Sequence, residues 1–369
     1  MRVGLIGAGG HGRWHRRRIA ELVAEGVVEF AGMADPAPVD DAAGVPVFTD
    51  HRELLTSVPI DVVVICTPPH THLPIALDAL EAGCDLLLEK PPVVSPTEHD
   101  VLTAALAATG RVCQVGFQAL GSAALTCLTD AVGAGRLGEV GQVATVASWQ
   151  RDDAYYARAS WAGQAGLGDG ALVNPLAHAL MQSLAVIGGD PLALTAERYR
   201  TRAIGTDDTA FARIEFRGGA TLLAAVTLAG EDFIAGEVIV TGDRGQAVLE
   251  YPTDRLRLPG EPAPAHVPGR ADLLSNLLDH RRDGTPLLVP LSRTLGFTRL
   301  ATALTGGPAP TLVDPAHVTD QGSGAGRVRV ITGVNEVLRR AAATGLLPSE
   351  LDVPWASAES RWTRRGPGL

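Results

Sequence analysis

The amino-acid sequence predicts an α/β protein: an N-terminal doubly wound parallel sheet, then an α+β domain built on a large, open, mostly antiparallel sheet. Three observations carry that prediction. Short apolar runs alternate with helical stretches over residues 2–118, a Gly-x-Gly-x-x-Gly turn follows the first run, and beyond residue 120 the pattern changes to strand alternation with Gly-rich turns.

In the first part, "RVGLIG", "VVEFAGMAD", "DVVVICTPP", "CDLLLEKPP" and "RVCQVGFQ" read as strands. Between them lie helical patterns such as "THLPIALDALEAGC", with Ile75, Leu77, Ala79 and Leu80 on one side and Gly83 as a stop. Alternation of this kind means βαβ units and a parallel sheet covered on both faces, which fits unbroken apolar strands. In the second part, "AALTCLTDAVGAGRLGEV" reads as a helix and "VGQVATVASWQ" as a strand. Two hairpins are expected about Gly218–Gly219 and Asp243–Gly245, with helices on one face of the sheet. "PGEPAPAHVPG" reads as a loop, and "RADLLSNLLDHRRDG" as a helix with Leu273, Leu274, Leu277 and Leu278 at helical spacing. "TDQGSGAGRVRV" reads as a flexible passage in a tail, from about residue 304, that shows no clear pattern.

At 369 residues the chain is too long for one ordinary core, so two domains are expected, 1–120 and 121–369. Hydrophobic residues at 46% and charged ones at 20% describe a folding chain and not a disordered one. A formal charge of −10 leaves no broad basic surface for a phosphate backbone, which argues against nucleic acid as a partner. Cys66, Cys84, Cys113 and Cys127 form no Cys-x-x-Cys pair, so neither a disulfide framework nor a metal site is expected, only reduced buried thiols. The chain enters a strand pattern at once, without a signal-peptide pattern, and no uncharged run reaches the ~18 residues of a membrane span. The expected location is the cytoplasm.

Chemistry enters with "LIGAGGHGRWH". Gly7 permits the tight turn after the first strand, Gly9 lets backbone approach a pyrophosphate, and Gly12 lets helix pack on strand; Gly10 and His11 complete the loop. Asp35 ends the second strand about twenty residues on, where a carboxylate accepts hydrogen bonds from an adenosine ribose. A dinucleotide site follows, and Asp35 selects NAD over NADP, because a 2′-phosphate would be repelled and "PAPVDD" after it holds no Arg or Lys. His11 and His15 read as packing or phosphate-contacting residues.

"CTPPHTH" and "EKPP" close the third and fourth strands, at the carboxyl ends where doubly wound sheets bind ligands. Lys90 stands out in an arginine-rich chain because an ammonium, unlike a guanidinium, can exchange protons near neutrality. The plain alternative is a surface lysine paired with Glu89.

"GAGGHG", "TPPHTHLPIALDALEAGCDLLLEKPP" and "GRLGEVGQV" together resemble the glucose-fructose oxidoreductase, inositol dehydrogenase and rhizopine-catabolism (Gfo/Idh/MocA) family, over about residues 1–300. The resemblance implies a Rossmann domain, a C-terminal α/β domain whose open sheet forms a homodimer or homotetramer interface, and NAD(P)-dependent redox chemistry on a sugar, cyclitol or related polyol. It implies that Lys90 contacts the reacting oxygen and shuttles its proton, that Pro91 follows across a cis peptide, and that Thr67, Pro68, His72 and Glu89 border the cofactor.

The family's second catalytic segment, Gly-Gly-Gly-x-x-x-Asp-x-Gly-x-His-x-x-Asp, here reads "GDGALVNPLAHALM". His178 is kept, Asn174 replaces the first aspartate, Leu176 a glycine and Met181 the last aspartate. Asparagine can hold a hydroxyl but cannot take its proton. After "VGF" the family continues with Asn and two arginines; this chain has "QALGS", so Gln118 remains to reach nicotinamide or substrate, and an anionic substrate group at that place is disfavoured.

Two readings stay open for Asn174-Pro175: a substrate contact, or a helix N-cap with proline in the first turn. His178, alone, would be a core histidine; the family segment makes it an active-site residue. Trp149, Tyr155, Tyr156 and Trp161 suit either a sugar face, with Trp161 as substrate contact, or packing. Asp152 and Asp153 are expected to be solvated. The resulting expectation is hydride transfer between NAD and a carbinol or ketone carbon. A glycoside-cleaving lyase or hydrolase working through transient oxidation, and a non-catalytic dinucleotide sensor, are the alternatives.

Overall fold

The computed structural model describes residues 1–40, 42, 44–366 and 369. The chain divides into two compact units, Met1–Phe117 with Asp272–Thr298, and Gln118–Ala271 with Arg299–Leu369.

The first unit runs β1 (Arg2–Ile6), α1 (Gly12–Ala24), β2 (Glu29–Ala34), β3 (Val47–Phe48), α2 (His51–Ser57), β4 (Val62–Ile65), α3 (His72–Glu81), β5 (Asp85–Leu88), α4 (Pro96–Thr109) and β6 (Cys113–Val115). Its sheet is parallel throughout, in the order β3-β2-β1-β4-β5-β6. The strand order reverses between β1 and β4, so the carboxyl ends of these two strands flank the switch point. Every residue of β4 and β5 is buried, as unbroken apolar runs require. All five predicted strands are present; β3, at two residues, is too short to show a period.

Local signals set the helix ends: Asp50 caps α2 through the Arg52 N–H, and Ser95 caps α4 through the Glu98 N–H, with Pro96 in the first turn. Asp272–Thr298 joins this unit through buried Gln114. The Gln114 amide donates to Asn276 Oδ1 at 2.5 Å and its oxygen accepts the Val289 N–H at 2.8 Å. Helix α8 (Leu273–Asp283) lies in this segment, capped by Asp272 and closed by left-handed Gly284.

The second unit contains α5 (Ala123–Gly133), β7 (Val140–Ser148), α6 (Asp153–Ala157), α7 (Ala177–Ile187), β8 (Pro191–Arg200), β9 (Thr209–Phe216), β10 (Thr221–Thr227), β11 (Ile234–Gly242), β12 (Gly245–Glu250), β13 (Arg255–Arg257) and β14 (Ala265–His266). After α9 (Leu295–Thr305) come β15 (Thr311–Leu312), β16 (Val318–Gln321), β17 (Val328–Ile331), α10 (Val334–Thr344) and β18 (Arg361–Arg365). The large sheet is ordered β14-β13-β12-β11-β7-β10-β9-β8-β15, with β18 also on β8. Only the β7–β10 and β8–β15 pairings are parallel. The two predicted hairpins are β9–β10 and β11–β12.

Two expectations are corrected. The sheet carries helices on both faces and not on one: Thr145 of β7 bonds Ala179 and Ser183 of α7, while its neighbours Ala144 and Val146 pack with Val334, Val337, Leu338 and Ala341 of α10. Successive side chains alternate across a strand, so α7 and α10 must lie on opposite faces. The "TDQGSGAGRVRV" passage is a β16–β17 hairpin, pairing Val318 with Ile331, whose turn uses Gly322 at φ +74° and Gly324 at φ +59°. Its glycines mark a turn rather than mobility.

All four cysteines are free thiols; Cys84 and Cys113 are buried and Cys66 half-buried, but Cys127 is exposed. Among the described residues no helix is long and apolar enough to cross a membrane.

Candidate active site

The glycine turn is forced by geometry. Gly7 has φ +87°, and a Cβ there would sit 2.5 Å from the Cys66 carbonyl oxygen. A Cβ on Gly12 would sit 1.9 Å from the Gly7 carbonyl oxygen, so α1 can leave this close to β1 only with glycine. Gly10, at φ +48°, and His11 complete the loop; the His11 side chain makes no cap and no acidic residue lies in the first turn of α1. The first three amides of α1 donate instead to the loop carbonyls of Gly9, Gly10 and His11, at 2.7, 3.3 and 2.9 Å. The end of β2 is tied to the same loop: Asp35 Oδ2 accepts the Ala8 N–H at 2.8 Å and the Gly9 N–H at 3.0 Å, and Oδ1 the Ala37 N–H at 2.9 Å. The stretch after Asp35 contains no basic residue, yet the fold brings Arg13 and Arg16 of α1 to Asp40, at 3.2 and 3.4 Å, which neutralises charge there. Asp41, the last residue of "PAPVDD", lies outside the described residues.

At the ends of β4 and β5 the residues beyond the strands are cross-linked. Thr67 and Pro68 are half-buried, and the Thr71 hydroxyl bonds Thr67 Oγ1 at 2.8 Å. His72 has no exposed surface; Nε2 lies 2.8 Å from the Thr67 carbonyl oxygen and Nδ1 2.9 Å from that of Pro91. It therefore supports the site from behind, which corrects its expected place as a direct cofactor contact: a ring with no accessible surface and both nitrogens on carbonyls has nothing to offer a ligand. Burial pushes its pKa down against the pull of those two carbonyls, which favours the neutral ring. The Lys90–Pro91 peptide is cis, as the resemblance implied.

Lys90 is half-buried, and its backbone N–H donates to Glu89 Oε2 at 3.0 Å. The Glu89 carboxylate is otherwise engaged with histidines of α1 and its loop: Oε1 lies 2.9 Å from His15 Nε2 and 3.5 Å from His11 Nε2. Burial works against its charge, but the His11 and His15 hydrogen bonds outweigh that and hold the carboxyl well below the usual range. The ligand atoms of His11, His15 and Glu89 all lie within 4.8 Å of one another, a donor set of the kind that first-row divalent ions accept. The hydrogen bonds account for this closeness. Sequence reasoning did not pair these residues, although the spacing of His11 and His15 puts both on one side of α1.

In the second unit, Gln118 is half-buried at the start of a 3₁₀ turn, Gln118–Gly121. The N-cap reading of Asn174-Pro175 is corrected, because α7 begins at Ala177 with Leu176 in the cap position and no side-chain cap. The preceding turn satisfies its own backbone: the Val173 and Asn174 N–H groups donate to the Gly170 carbonyl, at 3.2 and 3.0 Å, and Leu176 to Ala171 at 3.0 Å. The Asn174 amide instead donates to Asp169 Oδ1 at 3.0 Å. Asp169 is 3% exposed, and its other oxygen accepts the Gly163 N–H at 2.7 Å. Sequence reasoning missed it; the available signal was a carboxylate between two glycines in "GDG".

His178 is half-buried in the first turn of α7, its ring centroid 6.3 Å from that of Tyr251. Tyr251 packs with Ala119, Ala179 and Trp149. Trp161 lies under the Arg158 guanidinium at 4.7 Å, and the same guanidinium covers Tyr155 at 3.7 Å. Asp152 and Asp153 are not simply solvated: Asp152 caps α6 through the Tyr155 N–H at 2.9 Å, and Asp153 pairs with Arg327 at 3.0 Å and Arg202 at 3.4 Å.

Comparison with known proteins agrees with this architecture. Residues 1–117 match the model of an oxidoreductase family with an NAD-binding Rossmann fold, and residues 127–248 match the GFO/IDH/MocA C-terminal domain. The chain is similar to inositol 2-dehydrogenase 4 of Saccharopolyspora erythraea, 37% identical over 122 residues, which is 32% of this chain and 36% of that one. The match thus spans about a third of that relative's length. It is similar over a longer stretch to the uncharacterized oxidoreductase YdgJ of Escherichia coli, 27% identical over 317 residues, 83% of this chain and 89% of the other. Among solved structures it resembles the WlbA dehydrogenase of Bordetella pertussis in complex with NADH and UDP-GlcNAcA, with a TM-score of 0.74 and 24% identity over 85% of this chain and 99% of that one. At that identity the likeness is one of fold.

Proposed function

We infer the activity from one premise: the chain belongs to the Gfo/Idh/MocA family of NAD-binding oxidoreductases. It oxidises a carbinol carbon, or reduces a ketone carbon, of a sugar, cyclitol or related polyol, and the first unit holds the dinucleotide while the second supplies substrate contacts. The observation that carries this reading is Lys90 at the carboxyl end of β5, its backbone fixed by Glu89 and its segment joined by His72 to Thr67.

Gly7 and Gly12 let the turn pass close to its own carbonyls, and a Cβ at Gly10 would meet nothing within 4 Å, which leaves that side of the loop clear for the cofactor. Gly7, Gly9 and Gly10 would let the loop backbone approach the pyrophosphate at the start of α1, with His11 beside it and Asp35 on the ribose, which selects NAD over NADP. When bound, NAD supplies the hydride acceptor. Lys90 takes the hydroxyl proton of the substrate, His178 is the second polar group proposed for catalysis, and Asn174 holds a hydroxyl without exchanging a proton. Gln118 and Trp161 complete the substrate contacts. Orientation of the carbinol and stabilisation of charge at its oxygen account for most of the rate.

We propose the expected homodimer or homotetramer, with α7 and α10 packed on the central strand β7 and the interface on sheet surface beyond them.

The activity is tested with Lys90→Ala. NAD should bind as in the wild type, while turnover of the responsive polyol falls by ~10²–10⁴-fold, the size of a general acid–base contribution. Near-normal turnover in Lys90→Ala would overturn the assignment.

A further inference from the structure

A cleft of about 530 Å³ in the second unit is lined by Trp149, Gln150, Arg151, Glu231, Phe233 and Pro252. Its size is that of a small-molecule site, for which ~300–1,000 Å³ is usual. We propose that this cleft binds the oxyanionic substituent, carboxylate or phosphate, of a ring substrate, and that Arg151 is the residue that reads it. The proposal rests on the polyol reading above and narrows it from neutral polyols to sugar acids or sugar phosphates.

The charges in the cleft are unequal. Glu231 is engaged at the start of α10, where its Oε1 accepts the Gly333 N–H at 2.7 Å, a favourable place for an anion. Arg151 forms no ion pair among the described residues: its guanidinium donates to the Gln150 carbonyl at 2.9 Å and lies 5.3 Å from the Trp149 ring and 5.1 Å from that of Tyr155. These contacts hold the guanidinium without neutralising it. A planar, held guanidinium is suited to bidentate bonding with a carboxylate or phosphate.

Beside that cation the cleft offers aromatic faces for the apolar side of a ring. Phe233 is 73% exposed, and half-buried Trp149 lines the same cleft. One wall of the cleft connects through packed rings to the proposed catalytic histidine. Trp149 packs on Ala179 and Tyr251, and the Tyr251 ring is 6.3 Å from that of His178. Tyr251 is 5% exposed and its hydroxyl has no hydrogen-bond partner among the described residues. The family's arginines after "VGF" are missing, so Arg151 places positive charge at a different point and leaves that earlier conclusion intact.

The test titrates the full chain, with NAD present, against D-glucuronate, D-glucose 6-phosphate and D-glucose by calorimetry. At least one anion should bind ~10- to 100-fold more tightly than glucose, the span expected of charge-assisted hydrogen bonds, and which one does so separates a carboxylate from a phosphate. Arg151→Ala should erase the preference. Arg151→Lys, which keeps charge but not the fork, should leave an intermediate one and serves if the alanine variant does not fold. Glucose binding as tightly as both anions, or a preference that survives in a folded Arg151→Ala protein, overturns the proposal. Binding is read without turnover, so Arg151-dependent binding in a protein that never reduces NAD would instead count against the dehydrogenase reading.

Discussion

Replacing Glu89 by glutamine isolates a single buried carboxylate. Glu89 is 7% exposed and His15 2%; one carboxylate oxygen serves His15 at 2.9 Å and His11 at 3.5 Å, and the other the Lys90 N–H at 3.0 Å. Glutamine preserves the shape but turns an N–H₂ toward one of these two groups, and it removes the charge from every bond. Hydrogen bonds to a charged partner are worth ~1.5–3 kcal/mol, and glutamine keeps part of one set, so a loss of roughly 2–4 kcal/mol is expected.

In a unit of this size each kcal/mol lowers the midpoint by roughly 2–4 °C, giving a fall of roughly 4–16 °C at pH 7 for the transition of the first unit. The carboxyl titrates lower in the folded protein than its ordinary value of 4.5. Its stabilisation is therefore complete above that value and is lost as pH falls through the folded pKa. Differential scanning calorimetry across pH should show a constant gap between the two proteins near neutrality that narrows once pH drops below about 4.5. A Glu89→Gln protein that melts with the wild type at pH 7, or a gap that does not narrow in acid, would refute the reasoning.

Three further outcomes are expected. Gly12→Ala puts a Cβ 1.9 Å from the Gly7 carbonyl oxygen, so fluorescence titration with NADH should show binding abolished; retained affinity would mean that α1 can shift. Light scattering after size-exclusion chromatography should give two or four times the monomer mass of 38.4 kDa, and the monomer mass itself would refute assembly. Asn174→Asp sets two carboxylates against each other across what is now a 3.0 Å hydrogen bond, raising the pKa of one of them. The variant's stability deficit should be largest at pH 7 and shrink as pH falls through that raised value, and a deficit indifferent to pH would argue against the Asn174–Asp169 contact.

The first unit was legible because its determinants are local: buried parallel strands spell out apolar runs, and the glycine turn lies within a few residues. The second sheet was legible as hairpins, yet its far side was not. Ala144, Thr145 and Val146 are simply an apolar-rich strand in the sequence, and only the fold shows that α10, nearly two hundred residues on, takes the face that α7 leaves. The Glu89–His15 link spans 74 residues and has no local pattern to reveal it.

The segment "GDGALVNPLAH" shows how a strong local signal yields to a nearby polar group. Asn-Pro is a helix-start pair, but the carboxamide that would cap the helix meets a buried carboxylate five residues earlier, and a charged acceptor is a stronger partner than the helix amides. The helix then opens two residues later, on Leu176, without a side-chain cap. In the family pattern the carboxylate stands at position 174; here a carboxylate stands at 169 and reaches 174 through the asparagine amide. That arrangement leaves the asparagine oriented rather than free to turn, so its oxygen is presented in one direction. A residue that cannot exchange a proton can still hold a substrate hydroxyl, and that, not proton transfer, is the role we propose for Asn174.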